Sequence, residues 1–171
     1  MGHAVHTGLY VIMGVSGSGK TTIGAKLARA LNLAFLEGDD LHPAQNVERM
    51  AAGIPLTDDD RRPWLLAIAG QLRDAKRAGM GLVLTCSALK RSYRDLLRSV
   101  GAADVRFVYL KGTRAILAER LANRRDHFMP PALLDSQLTT LEEPAPDEHT
   151  WVCDIREAPD AIVADLVKRA A

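Results

Sequence analysis

Cysteine is scarce in this 171-residue chain: Cys86 and Cys153 are the only two, far apart and in no C-x-x-C arrangement. That excludes a disulfide framework or a zinc ribbon and leaves two buried, reduced thiols as the reading. Aromatic residues are also few (Phe 3, Trp 2, Tyr 3), and 22 Lys+Arg against 21 Asp+Glu leave a formal net charge of only +1. A basic groove with stacking platforms for nucleic acid, or a field that draws the chain to an anionic membrane, is therefore not expected. No apolar run approaches the length of a membrane span. Met1 to Thr7 lack the basic start and apolar core of a signal peptide, so the expectation is a soluble, cytoplasmic protein. His3, His6 and His149 have no spacing that suggests a metal site. There is no repeat, no low-complexity linker, no guanine-reading N-K-x-D and no D-x-x-G switch. With 47% apolar residues, the chain is expected to fold as a single domain over 1–171.

What is present begins at Gly14. Gly14-Val15-Ser16-Gly17-Ser18-Gly19-Lys20-Thr21 satisfies G-x-x-x-x-G-K-[ST] and follows the apolar run Leu9 to Met13, with a helical pattern from Thr22 to Leu31 after it. Glycines allow successive N–H groups to turn inward around a β-phosphate. Lys20 then reaches the β- and γ-phosphates, and the Thr21 hydroxyl ligates Mg²⁺. Gly14, Val15, Ser16, Gly17, Ser18, Gly19, Lys20, Thr21 and Thr22 are accordingly the expected contacts to a nucleoside triphosphate.

Five short apolar runs alternate with helical patterns, the signature of a parallel sheet covered on both faces. The expected strands are Leu9 to Met13, Ala34 to Glu37, Leu82 to Ser87, Val105 to Leu110 and Trp151 to Asp154. Helices are expected near 21–31, 43–52, 63–78, 90–100, 114–124, 131–141 and 159–169, with Thr57 to Asp60 a loop and Glu142 to Glu148 a surface turn. This is a doubly wound α/β domain, and ligands of such sheets collect beyond the carboxyl ends of the strands.

After the second strand, Glu37 and Asp39 have same-face spacing if the strand continues that far. One carboxylate can serve Mg²⁺ through its waters while the other sits at the acceptor hydroxyl. The third strand ends without an acid, which shifts the magnesium duty toward this pair. Ser87 to Arg91 is a small-residue turn opening a helix, so its N–H groups, Ser87 and Lys90 are available to a substrate oxygen or carboxylate. Arg120 and Arg124 share one helix face, where arginines can stack on adenine and neutralise charge on a transferring phosphoryl group. His42 is a candidate substrate contact, and Trp64 is most simply a packing residue.

Several segments carry a family resemblance: Met13-Gly-Val-Ser-Gly-Ser-Gly-Lys20, Glu37-Gly-Asp-Asp-Leu-His-Pro43, Pro55-Leu-Thr-Asp-Asp-Asp-Arg61-Arg-Pro-Trp-Leu65 and Cys86-Ser-Ala-Leu-Lys90. With Tyr93 to Leu97, Tyr109 to Gly112 and Leu141 to Pro144, they resemble the bacterial thermoresistant gluconokinase family from about Leu9 to Asp154. The resemblance implies ATP-dependent phosphorylation of D-gluconate to 6-phosphogluconate, a P-loop NTPase-type fold similar to shikimate and adenylate kinases, a small helical lid near 125–138, and a homodimer. It also implies Asp39 at the substrate and Glu37 at magnesium. Arg120 falls on the adenine side and Arg124 on the phosphate side, with Arg125 and His127 completing the lid-entry pattern. Asp126 and Met129-Pro130-Pro131 depart from the glycine and aromatic residues expected there.

A gluconate pocket needs a cation for the carboxylate and several hydrogen-bonding groups; Arg49, Arg62, Lys90 and Arg91 are the cationic candidates. The expected catalytic set is Lys20, Asp39 and Arg124. The competing readings are a kinase for another sugar acid or polyol, and a nucleotide-dependent switch protein.

Overall fold

The computed structural model describes residues 5–124 and 131–171. Five strands, β1 (Leu9–Met13), β2 (Ala34–Glu37), β3 (Leu82–Thr85), β4 (Arg106–Lys111) and β5 (Trp151–Asp154), form one sheet in the order β2-β3-β1-β4-β5. Every pairing is parallel, and β1 lies at the centre with Val11 opposite Leu84 on one side and Phe107 on the other. All five residues of β1 are buried, as a strand flanked on both edges and covered on both faces requires.

Among the described residues, six α-helices lie between the strands, α1 (Lys20–Leu31), α2 (Ala44–Ala51), α3 (Asp58–Arg77), α4 (Arg91–Leu96), α5 (Arg114–Ala122) and α6 (Pro131–Thr140), and a seventh, α7 (Pro159–Ala170), follows β5. Helix α1 buries Ile23, Gly24, Leu27, Ala28 and Leu31, the i, i+4, i+8 stripe of an amphipathic helix, and packs beside α7. Helix α3 packs against α4 and the π-helical turn Leu97–Gly101 that extends it. Helices thus lie on both sides of the sheet. Among the described residues, no helix is long and apolar enough to cross a membrane.

The structure corrects several boundaries. Helix α3 begins at Asp58, five residues before Pro63, because Thr57 forms a capping box with Asp60 and three acids occupy the first turn at the positive end of the dipole. These stabilise a start that proline, which removes one backbone hydrogen bond at Pro63, would otherwise disfavour. Strand β3 stops at Thr85, and Ala88 takes a left-handed φ of 47° in the turn beyond it. Segment Glu142 to Glu148 is not simply a solvated turn: the Glu148 side chain is 1% exposed and pairs at 2.7 Å with Arg94, itself 0% exposed. Arg94 Nη1 also donates to Ala88 O at 2.8 Å, so this buried pair fixes the strained turn after β3. Both cysteines are free and buried, and burial pushes the Cys86 thiol up to about 12 and Cys153 to about 11.

Candidate active site

The phosphate loop spans the gap between β1 and α1. Gly17 and Gly19 have φ of 86° and 95°, which L side chains rarely adopt, and a Cβ on Gly19 would meet only Arg120, at 3.9 Å. The loop therefore presents an open backbone cradle at the N-terminus of a twelve-residue helix. Gly14 N–H donates to Ser87 O at 3.3 Å, tying the cradle to the β3 end. Ser18 Oγ is buried there with no hydrogen-bond partner among the described residues. Lys20 Nζ rests on Val15 O at 3.1 Å. Burial lowers the pKa of Lys20 and the nearby Arg124 adds to this, while Asp39, Cys86 and Glu37 oppose it.

Beside the loop, Thr21 Oγ1 donates to Glu37 Oε2 at 2.6 Å, and Thr85 Oγ1 donates to the other carboxylate oxygen. Thr85 Oγ1 in turn accepts from Gly38 N at 3.0 Å. Two hard oxygen donors side by side suit Mg²⁺, which takes few protein ligands and keeps waters or phosphates for the rest. Among the described residues, no cluster of three or more His, Cys, Asp or Glu forms a metal cage.

Glu37 and Asp39 do not share a strand face. Strand β2 ends at Glu37, and a 3-10 turn, Gly38–Leu41, carries Asp39 onward. The turn is forced: a Cβ on Gly38 would lie 1.8 Å from Thr85 O, and Gly38 O accepts from Trp64 Nε1 at 2.8 Å. Exposed Asp39 is close enough to act electrostatically on both Lys20 of the phosphate loop and His42, which belongs to a second group of residues.

In that group, His42 stacks on Trp64 with centroids 4.1 Å apart and planes 13° from parallel. Asn46 Nδ2, which also donates to Asp60 O at 2.8 Å, lies 3.2 Å from His42 Nδ1. A donor at Nδ1 leaves the ring proton on Nε2, and burial lowers the His42 pKa, keeping the ring neutral. Trp64 is thus more than packing, since it holds both the Gly38 turn and His42. Arg61, 13% exposed, donates to Tyr93 Oη at 2.9 Å. Tyr93 Oη donates to Asp58, which also takes Lys90 Nζ at 3.0 Å.

The cationic candidates separate accordingly. Lys90 joins the Asp58–Tyr93–Arg61 cluster. Arg49 pairs with Asp60 at 3.2 Å, beside its capping box, and Arg62 is exposed. Arg91 forks onto Asp147 at 2.9 and 2.5 Å, and its N–H, expected to be free at the helix start, is capped by Glu142 at 2.9 Å. Arg61 was missed by the sequence reading, although its place three residues before Trp64 and seven before Ile68 puts it on the buried face of α3. Arg120 donates to Ile155 O, bridging α5 to the loop after β5, and Arg124 is exposed at the end of α5. His127 and residues 125–130 of the expected lid lie outside the described residues, whereas 131–138 belong to α6.

An AAA domain family model matches residues 9–144. A gluconokinase of Gluconobacter oxydans (strain 621H) is 49% identical over 92% of this chain and 88% of its own length. The thermoresistant gluconokinase of Escherichia coli (strain K12) is 44% identical over 94% and 91%. The chain belongs to the gluconokinase family. A crystal structure of a gluconokinase from Sinorhizobium meliloti 1021 superposes with a TM-score of 0.86 at 46% identity, covering 97% of this gluconokinase-family chain and 95% of the other. Shikimate kinase from Bacteroides thetaiotaomicron, 17% identical with a TM-score of 0.68 over 95% and 97% of the two chains, shares the fold. The P-loop kinase architecture expected from the sequence is the one observed.

Proposed function

We propose that this chain transfers the γ-phosphoryl group of ATP to the C6 hydroxyl of D-gluconate, giving 6-phospho-D-gluconate and ADP. The observation that carries the reading is the convergence of the phosphate loop, through Thr21 and Glu37, with the Asp39 turn that leads directly to His42 and the Arg61 cluster. One carboxylate, Asp39, then stands within electrostatic reach of both the lysine of a triphosphate cradle and the histidine of a polar cluster with its own cation.

The C6 oxygen attacks the γ-phosphorus, its proton passes to the Asp39 carboxylate, and the bond from phosphorus to the β,γ-bridging oxygen breaks to release ADP. Lys20 and Arg124 neutralise the charge that spreads over the equatorial oxygens. Thr21 and Glu37 would hold Mg²⁺, which when bound supplies charge neutralisation across the β- and γ-phosphates. Arg61 receives the gluconate carboxylate, and His42 Nε2–H donates to a hydroxyl of the chain. Arg120, whose guanidinium donates to Ile155 O, would cover the nucleotide on its adenine side.

The test is product identification by NMR after incubation with Mg-ATP and a panel of sugar acids, polyols, shikimate and nucleoside monophosphates. Phosphate on C6 of gluconate supports the reading. Turnover confined to another acceptor would reject the substrate, and acceptor-independent hydrolysis would reject the kinase assignment.

A further inference from the structure

Helix α6 reaches the phosphate loop through the Gln137 side chain. Gln137 Oε1 accepts from Ser16 N–H at 2.7 Å, and Gln137 Nε2 donates to Ser16 Oγ at 3.1 Å. The donor of the first bond matters, because Ser16 N–H belongs to the same peptide unit as Val15 O. That carbonyl is where Lys20 Nζ rests, at 3.1 Å. In a trans peptide the N–H and C=O point in opposite directions. One peptide plane is therefore gripped on one edge by Gln137 and on the other by the lysine expected at the β- and γ-phosphates.

The grip comes from a restrained element. Leu133 and Leu134 bury the near side of α6, and just beyond its end Glu142 N–H donates to Leu89 O at 2.8 Å. The Glu142 carboxylate also caps Arg91 N–H, so the far end of this segment is fastened to the turn after β3. A carboxamide held this way resists rotation of the Val15–Ser16 peptide. Without it, only the Ser18 N–H bond to Val15 O, at 3.2 Å, and the lysine itself restrain the peptide, and the resting place of the Lys20 ammonium moves as the peptide turns.

We propose that Gln137 is a positioning residue for phosphoryl transfer, orienting the Val15–Ser16 peptide and through it the Lys20 ammonium. The inference rests on the reading of Lys20 as a phosphate contact. It predicts a specific pattern of loss: binding of ATP, which Lys20 meets at both the β- and γ-phosphates, weakens most, binding of ADP, which keeps only the β-phosphate contact, weakens less, and binding of gluconate does not weaken.

The experiment compares Gln137→Met, which keeps the shape of the side chain and removes both hydrogen bonds, with Ser16→Ala, which keeps the N–H bond and removes only the hydroxyl. Gln137→Met is expected to lower kcat about 3- to 10-fold, the worth of a typical hydrogen bond, with the KM for gluconate within about 2-fold. Calorimetry should show ATP binding weakened by a similar factor and ADP binding weakened less. Ser16→Ala should lose less, and adding it to Gln137→Met should cost nothing further. Unchanged kcat in Gln137→Met, or ATP and ADP weakened equally alongside a lowered Tm, would overturn the proposal and leave Gln137 a structural residue. Lys20→Met is the control for the premise. An inactive Lys20→Met beside a normal Gln137→Met defeats only this inference, whereas an active Lys20→Met defeats the assignment of Lys20 itself.

Discussion

Glu37 Oε2 lies 2.6 Å from Thr21 Oγ1, which joins the last residue of β2 to the first turn of α1. The same carboxylate takes the Thr85 hydroxyl, so three elements meet at one side chain. This geometry supports the proposed placement of a magnesium-side acid at Glu37, given that β3 ends in threonine rather than an acid.

Substitution at this junction should act through the metal. Glu37→Gln and Thr21→Val are each expected to lower kcat by about tenfold or more and to raise the Mg²⁺ concentration needed for half-maximal rate. A titration of rate against Mg²⁺ checks this. An unchanged midpoint would remove Glu37 from the metal side.

Arg61 and Arg62 are neighbours in sequence with opposite expectations. Arg61→Ala should raise the KM for gluconate roughly 10- to 100-fold, the range for a charge-assisted hydrogen bond, while the KM for ATP stays within about 2-fold. Arg62→Ala, altering an exposed side chain, should behave as wild type. Steady-state kinetics on both variants decide which arginine reads the carboxylate.

Gly38 permits the turn that aims Asp39. Its Cβ would stand 1.8 Å from the Thr85 carbonyl oxygen, a backbone atom that cannot swing aside as a side chain can. Gly38→Ala should destabilise the fold by about 1–3 kcal/mol or more and lower turnover by displacing Asp39. Denaturant unfolding measured beside kcat tests both halves.

The buried Glu148 carboxylate gives a pH signature. Burial disfavours its charge, but hydrogen bonds from Arg94, the Ala145 N–H and Arg98 outweigh that and pull it down from 4.5 to about 2. A carboxyl depressed by folding stabilises the native state fully above its unfolded pKa and loses that contribution as pH falls through its folded pKa. Stability should therefore decline between about pH 4.5 and 2. Glu148→Gln should flatten this limb, and Glu148→Ala should cost about 3–5 kcal/mol at neutral pH by leaving Arg94 buried without its partner. Thermal midpoints across that window are the check.

Much of this architecture was legible because apolar periodicity and the glycine-lysine-threonine spacing act locally. Strands β1, β2 and β5 fall where their apolar runs do, and the phosphate loop lies where its motif requires. What escaped was decided by contacts between distant segments. Nothing near Glu148 in sequence announces Arg94, 54 residues away, and Gln137 meets Ser16 across 121 residues. The start of α3 lies five residues ahead of the expected Pro63 because the Thr57–Asp60 capping box, a local signal, sets it at Asp58. Arg61 follows from the same start, since the helical phase that puts it on the buried face requires α3 to extend back to Asp58.

The central claim is that one chain couples the phosphate loop to gluconate through Asp39, and the most direct measurement is ADP release with Mg-ATP, with and without D-gluconate, for the wild type and Asp39→Asn. The account predicts release that depends on gluconate in the wild type and falls by about 10²- to 10⁴-fold in Asp39→Asn, the range for loss of a general base, with ATP binding retained. Gluconate-independent release in the wild type, or near-normal turnover in Asp39→Asn, would contradict it.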